Sequence, residues 1–183
     1  MGRRHDSTGH RTHLRAGPGP VPGDPTVALA PPGTPPRRRG TAAGLLLRSA
    51  VLGIAAGSRA SLALAAPTLA DPASGRVKRL GARLGVVAEL TGDKLPSTPS
   101  RLDPPGPQSR AVAAALGGVV LARQRGRSVV LPAATAALFS AAGTWGGAAW
   151  RAWAAERGPD WRGAFAEDAV ALTLATLASH TRR

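Results

Sequence analysis

Residues 41–70 read TAAGLLLRSAVLGIAAGSRASLALAAPTLA, directly after the basic triplet Arg37-Arg38-Arg39. Thirty residues with two charges, Arg48 and Arg59, decide between a secretory leader and a membrane segment. A leader fits the basic start and the small-residue sites Ala63-Leu64-Ala65 and Thr68-Leu69-Ala70, but its apolar region is only about 7–15 residues long. The stretch here is longer and carries charge, so it reads as a membrane segment. Arg48 lies close enough to one end to extend its guanidinium to the interface. Arg59 lies too deep for that and demands a partner or a break in the helix. Basic clusters flank the stretch on both sides, Arg37 to Arg39 before it and Arg76, Lys78 and Arg79 after it. Cytoplasmic loops hold the excess of Lys and Arg, so a single crossing would put one cluster on the wrong side. A re-entrant hairpin broken around Gly57-Ser58-Arg59 keeps both on the cytoplasmic face.

Further apolar pieces follow at Leu80–Pro96, Arg110–Ala122, Val129–Trp153 (interrupted early by Pro132) and Gly163–Ser179. Strand-like alternation persists nowhere, so the expected fold is all-α. Several pieces fall short of the roughly 20 residues of a straight span, which suits half-helices buried against neighbours. The expected architecture is a small helical membrane bundle of about four spans or half-spans with short or broken helices, over 41–183. Residues 1–40, rich in Pro, Gly and Arg, read as a disordered basic tail. His5, His10 and His13 belong to that tail and read as solvated rather than as metal ligands; no metal site or cofactor is expected.

Alanine dominates the apolar residues, with one Ile, one Met and no Tyr. Small residues suit close helix packing in lipid better than a soluble core. Gly53 and Gly57 form a small-xxx-small pair, and Gly143 and Gly147 repeat its spacing. The net charge of +14 comes almost wholly from Arg and fits nucleic acid or the cytoplasmic face of a membrane. Arg123, Arg125 and Arg127 have no interleaved aromatic platform, which favours a loop at the membrane over nucleic acid. Trp145, Trp150, Trp153 and Trp161 fit an interfacial belt or core anchors equally well. The chain has no cysteine.

Glu89 and Asp93, four residues apart, share one helix face beside a glycine stripe of Gly81, Gly85 and Gly92 that looks suited to packing. Lys94 and Pro96 follow. Glu167 and Asp168 lie inside an otherwise apolar final helix. Ionisable groups within membrane segments default to functional candidates. The candidate polar site is therefore Arg59, Glu89, Asp93, Lys94, Glu167 and Asp168, with Arg59 expected to pair with Glu89 or Asp93. No nucleophile elbow, phosphate loop or paired helical His is present, so no enzyme is expected.

The segments Gly57-Ser58-Arg59-Ala60, Glu89 to Pro96 with Asp93-Lys94, and Ala166-Glu167-Asp168 resemble an uncharacterised family of small bacterial multi-pass membrane proteins. The resemblance covers roughly residues 44–178, and the order of the motifs carries it. It implies location in the bacterial cytoplasmic membrane and no established activity. The leading expectation is a transporter- or channel-like protein with a polar intramembrane site and its N-terminus in the cytoplasm. The alternatives are a membrane scaffold or accessory protein with structural ion pairs, and a soluble basic helical protein binding nucleic acid or anionic lipid. The bilayer is the expected partner, with a homo-oligomer allowed.

Overall fold

In the computed structural model, which describes residues 41–92 and 102–180, six helices follow one another. They are α1 (Ala42–Ser58), α2 (Leu62–Ala70), α3 (Arg76–Gly92), α4 (Gly106–Gln124), α5 (Val130–Ala155) and α6 (Asp160–Ser179). Among the described residues there is no strand. The tail at 1–40 with its three histidines, residues 93–101 with Asp93 and Lys94, and residues 181–183 lie outside the described residues.

The apolar stretch at 41–70 is two helices, separated at Arg59. Thr41 opens α1, its hydroxyl accepting from the Gly44 N–H at 3.1 Å. Arg59 then turns extended, with φ −140° and ψ 102°, and ends the helix. Pro132, expected to interrupt the fourth piece, stands in the first turn of α5. A missing N–H breaks nothing there, so α5 runs unbroken for 26 residues. Gly126, at φ 60°, supplies the left-handed turn after α4.

Contacts along α4 define the topology. Arg110, near its start, reaches the carbonyls of Gly57 and Ser58. A Cβ on Gly117 would meet Leu52 at 3.0 Å and the Ala63 carbonyl at 2.5 Å. Gln124, at its end, donates to the Pro67 carbonyl. Moving down α4, the contacts run backward along α1 and forward along α2, so α1 and α2 form a hairpin that doubles back at Arg59. The α6 helix lies antiparallel to α1: Asp168 meets Arg59, while Arg48 donates to the carbonyls of Ala178 and His180.

Helix α5 runs alongside α1 in the same direction, with contact made through glycine. A Cβ on Gly53 would stand 3.0 Å from the Ala136 carbonyl carbon, and one on Gly57 2.7 Å from the Thr144 nitrogen. One on Gly143 would stand 3.0 Å from the Gly57 Cα. Three of the four glycines of the two small-xxx-small pairs thus meet across one interface; Gly147 is half-buried further along α5. The glycine stripe of α3 behaves otherwise. A Cβ on Gly81, Gly85 or Gly92 would meet nothing within 4 Å. The expectation that this stripe packs against a helix fails because α3 turns its other edge, with Val86 and Glu89, to its neighbours.

The interior is built from small side chains. Buried hydrophobics larger than alanine, among the described residues, are Leu45, Leu52, Leu62 and Leu121. The rest of the buried apolar set is alanine, with Ser49, Ser140 and Thr144 among it. Large apolar side chains instead stand outward on every helix, including Leu47, Leu64, Leu84, Leu116, Leu138 and Leu177. No helix of the described residues is long and apolar enough to cross a membrane.

Candidate functional site: a charged clasp at a helix break

Breaking a helix at Arg59 strands backbone groups on both sides, and buried side chains satisfy them. On the α1 side, Arg110 Nη1 donates to Gly57 O at 3.0 Å and to Ser58 O at 2.7 Å. Thr144 Oγ1 also donates to Gly57 O, at 3.2 Å. On the α2 side, the N–H groups of Ala60 and Ser61 donate to Glu89 Oε1 and Oε2 at 2.8 and 2.7 Å. A cation thus sits at a helix C-terminus and an anion at a helix N-terminus, each where the helix dipole favours it. The two side chains face each other at 3.9 Å.

Arg59 itself points away from the break to α6. Its Nε and Nη2 both reach Asp168 Oδ1, at 2.7 and 2.6 Å, with both side chains buried. Asp168 was not among the expected partners, Glu89 and Asp93. Glu89 is engaged with backbone N–H groups, and Asp168, from the far end of the chain, holds the guanidinium. Asp93 and Lys94 lie outside the described residues. Glu167, adjacent to Asp168, faces a different way, with its carboxylate 3.8 Å from Arg151 of α5. Arg151 also grips Asp160 through two contacts at 3.1 and 2.6 Å and ties the α5–α6 hairpin together.

Of the candidate residues, the structure brings Arg59, Glu89 and Asp168 to one place and sets Glu167 one contact away. Arg110 was missed by reading the sequence. Its signal was present: a lone cation heading the twelve uncharged residues 111–122, in a chain whose break needs a cap at its carbonyl end. Beside the clasp runs a narrow cleft lined by Arg59, Ser61, Leu62, Val86, Asp168 and Leu172. The Ser61 hydroxyl, buried there, has no hydrogen-bond partner. Among the described residues, no group of three or more His, Cys, Asp or Glu is placed to hold a metal ion.

The tryptophans are not core anchors. The break lies level with residues 140–144 of α5, and α5 continues to Ala155, about 16 Å further at 1.5 Å per residue. The overhanging part of the α5–α6 hairpin carries Trp150, Trp153 and Trp161, all exposed, with Trp145 exposed just below. Trp150 stacks on Trp153 at 5.2 Å and donates its indole N–H to Gly163 O. Arg157 lies 4.3 Å over the Trp153 ring.

Comparison of the chain with protein-family profiles, with curated proteins and with solved structures returns no match.

Proposed function

We propose that the chain is a multi-pass membrane protein of the accessory or scaffolding kind, whose buried charges fasten a re-entrant helix hairpin. One observation carries the membrane part: the size gradient of its apolar side chains runs inside out. Alanine, glycine and serine fill the interior while Leu, Val, Phe and Trp stand outward. In water, so much outward apolar surface is a liability; in lipid it is the solvated face, and small interior residues let helices approach.

Charge and aromatics supply an orientation. Arg48, Arg76, Lys78, Arg79, Arg123, Arg125 and Arg127 gather at the end where α1 and α5 begin and α2, α4 and α6 end. By the positive-inside rule that end is cytoplasmic. Trp150 and Trp153 lie about 30 to 35 Å along α5 from it, a hydrocarbon thickness away, where an aromatic belt belongs. The three motif segments behind the resemblance to the bacterial membrane family contribute Arg59, Glu89 and Asp168 to the clasp, in line with a shared structural role.

The scaffolding part rests on where the charges are spent: Arg110 and Glu89 on helix-end backbone, Arg59 and Asp168 on each other. Carbonate extraction of membranes is the test. Retention in the pellet at high pH is expected, and release by carbonate or by salt would overturn the membrane reading in favour of a basic peripheral protein. A transporter-like reading retains one specific support, the unpartnered Ser61 hydroxyl in the cleft beside Arg59 and Asp168. Solute or ion flux in reconstituted vesicles that Glu89→Gln abolishes, with folding intact, would favour it.

A further inference from the structure

Helix α3 is the least committed part of the bundle. None of its residues is buried, and α2 is the helix it packs along. Val77, Leu80, Leu84 and Val87 stand outward, while Val86 packs against the interior cluster. The two ends of α3 are held differently. At its start, Arg79 donates to Asp71 O at 2.8 Å and to Ser74 O at 3.1 Å. The Asp71 carboxylate in turn accepts from the Ala73 N–H and the Ser74 hydroxyl. These bonds shape the turn between α2 and α3 without fastening α3 to the other helices. About 15 Å further along, at 1.5 Å per residue, Glu89 makes the fastening, with both carboxylate oxygens on the Ala60 and Ser61 N–H groups.

Under that fastening lies the cleft beside the clasp. To its lining α3 contributes Val86 and Leu90, α6 contributes Asp168 and Leu172, and the helix break contributes Arg59, Ser61 and Leu62. With α3 in place the cleft is too narrow to admit a water molecule. An element with little buried surface opens at a lower free energy than the core around it. We propose that α3 is a strap, hinged at residues 71–75 and latched by Glu89, that lifts as a unit and uncovers Arg59, Asp168 and the Ser61 hydroxyl. The latch is one carboxylate, so lifting exchanges two charge-assisted hydrogen bonds and the Val86 and Leu90 contacts for solvent and leaves the core of α1, α4, α5 and α6 packed. The strap rests on packing within the chain and not on the membrane reading.

The chain has no cysteine, so thiol labelling of the purified full chain reads the lifting directly. Ser61→Cys places a thiol where the hydroxyl is buried beside the cleft. Ser49→Cys, at a fully buried site inside α1, is the control, and Gly85→Cys on the open face of α3 gives the unhindered rate. A water-soluble methanethiosulfonate in dodecyl maltoside micelles is the reagent. Ser61→Cys is expected to label at least about tenfold faster than Ser49→Cys and more slowly than Gly85→Cys. Unfolding of the whole chain would label the two buried thiols at one rate, so equal rates would overturn the strap. Adding Glu89→Gln should speed Ser61→Cys at least about tenfold and keep its excess over Ser49→Cys. An unchanged rate would overturn the latch and with it the proposal. Val86→Ala, which trims the packing of α3 on the core, serves if Glu89→Gln does not fold; it should speed Ser61→Cys at least about threefold, and no change would count the same way. If carbonate releases the protein, the same rates are measured without detergent, so failure of the membrane reading and failure of the strap are separate results.

Discussion

Removing Asp168 tests the clasp most directly. In Asp168→Ala the Arg59 guanidinium, buried to 3% exposure, loses the carboxylate that takes both its Nε and Nη2. Breaking a buried ion pair from one side costs about 3–5 kcal/mol, because the remaining charge stays desolvated. That is about a hundred- to several-thousandfold in the unfolding constant. Asp168→Asn keeps an acceptor without the charge and should lose less, about 2 kcal/mol. The double change Arg59→Leu with Asp168→Leu removes both charges and fills the space with apolar atoms, so it should return to within about 1 kcal/mol of the parent. The assay is reversible unfolding in mixed dodecyl maltoside and dodecyl sulfate micelles, followed by fluorescence of the α5 and α6 tryptophans. A fastener makes the double variant far better than the sum of the singles. A loss below about 1 kcal/mol for Asp168→Ala, or a double variant as poor as the sum, would refute the reasoning.

Glu89→Gln leaves one acceptor for two N–H groups, so the same unfolding assay should register a loss of about 2–3 kcal/mol, from one orphaned donor and the lost charge at the α2 N-terminus. Gly143→Ala drives a methyl against the backbone of α1 and should cost about 1–3 kcal/mol despite better helix propensity. Gly146→Ala, with nothing within 4 Å, should instead gain up to about 1 kcal/mol, measured side by side with it. In this cysteine-free chain, single cysteines at Thr41, Gly75 and Arg127 should label from one side of the membrane and one at Gly158 from the other; Thr41 and Gly75 on opposite faces would remove the hairpin.

The break was legible because Arg59 stands where no helix in an apolar setting tolerates an unpartnered charge, and the structure interrupts the helix at that residue. Helix positions were legible from apolar runs bounded by Pro, Gly and Arg, to within a turn for most of them. The partners were not. Asp168 meets Arg59 across 109 residues, and neither spacing nor periodicity encodes which of several acids a packed bundle brings to one cation. Arg110 was overlooked for a related reason: its ligands are carbonyls, which every residue has, so no pattern of side chains marks it. The α3 glycines misled through spacing alone, since a small-residue stripe states what could approach and not what does.

The clasp also imposes an order in time. Residues 42–70 leave the ribosome long before the side chains that settle their turn. Arg110 follows Ser58 by 52 residues and Asp168 follows Arg59 by 109. At about 5–20 residues per second the Arg59 guanidinium waits roughly 5–20 s for Asp168. Through that interval the turn lacks the Asp168 half of its clasp. A chain stopped after α5 would hold every other helix in hand and still present the quality-control machinery with an unfinished turn.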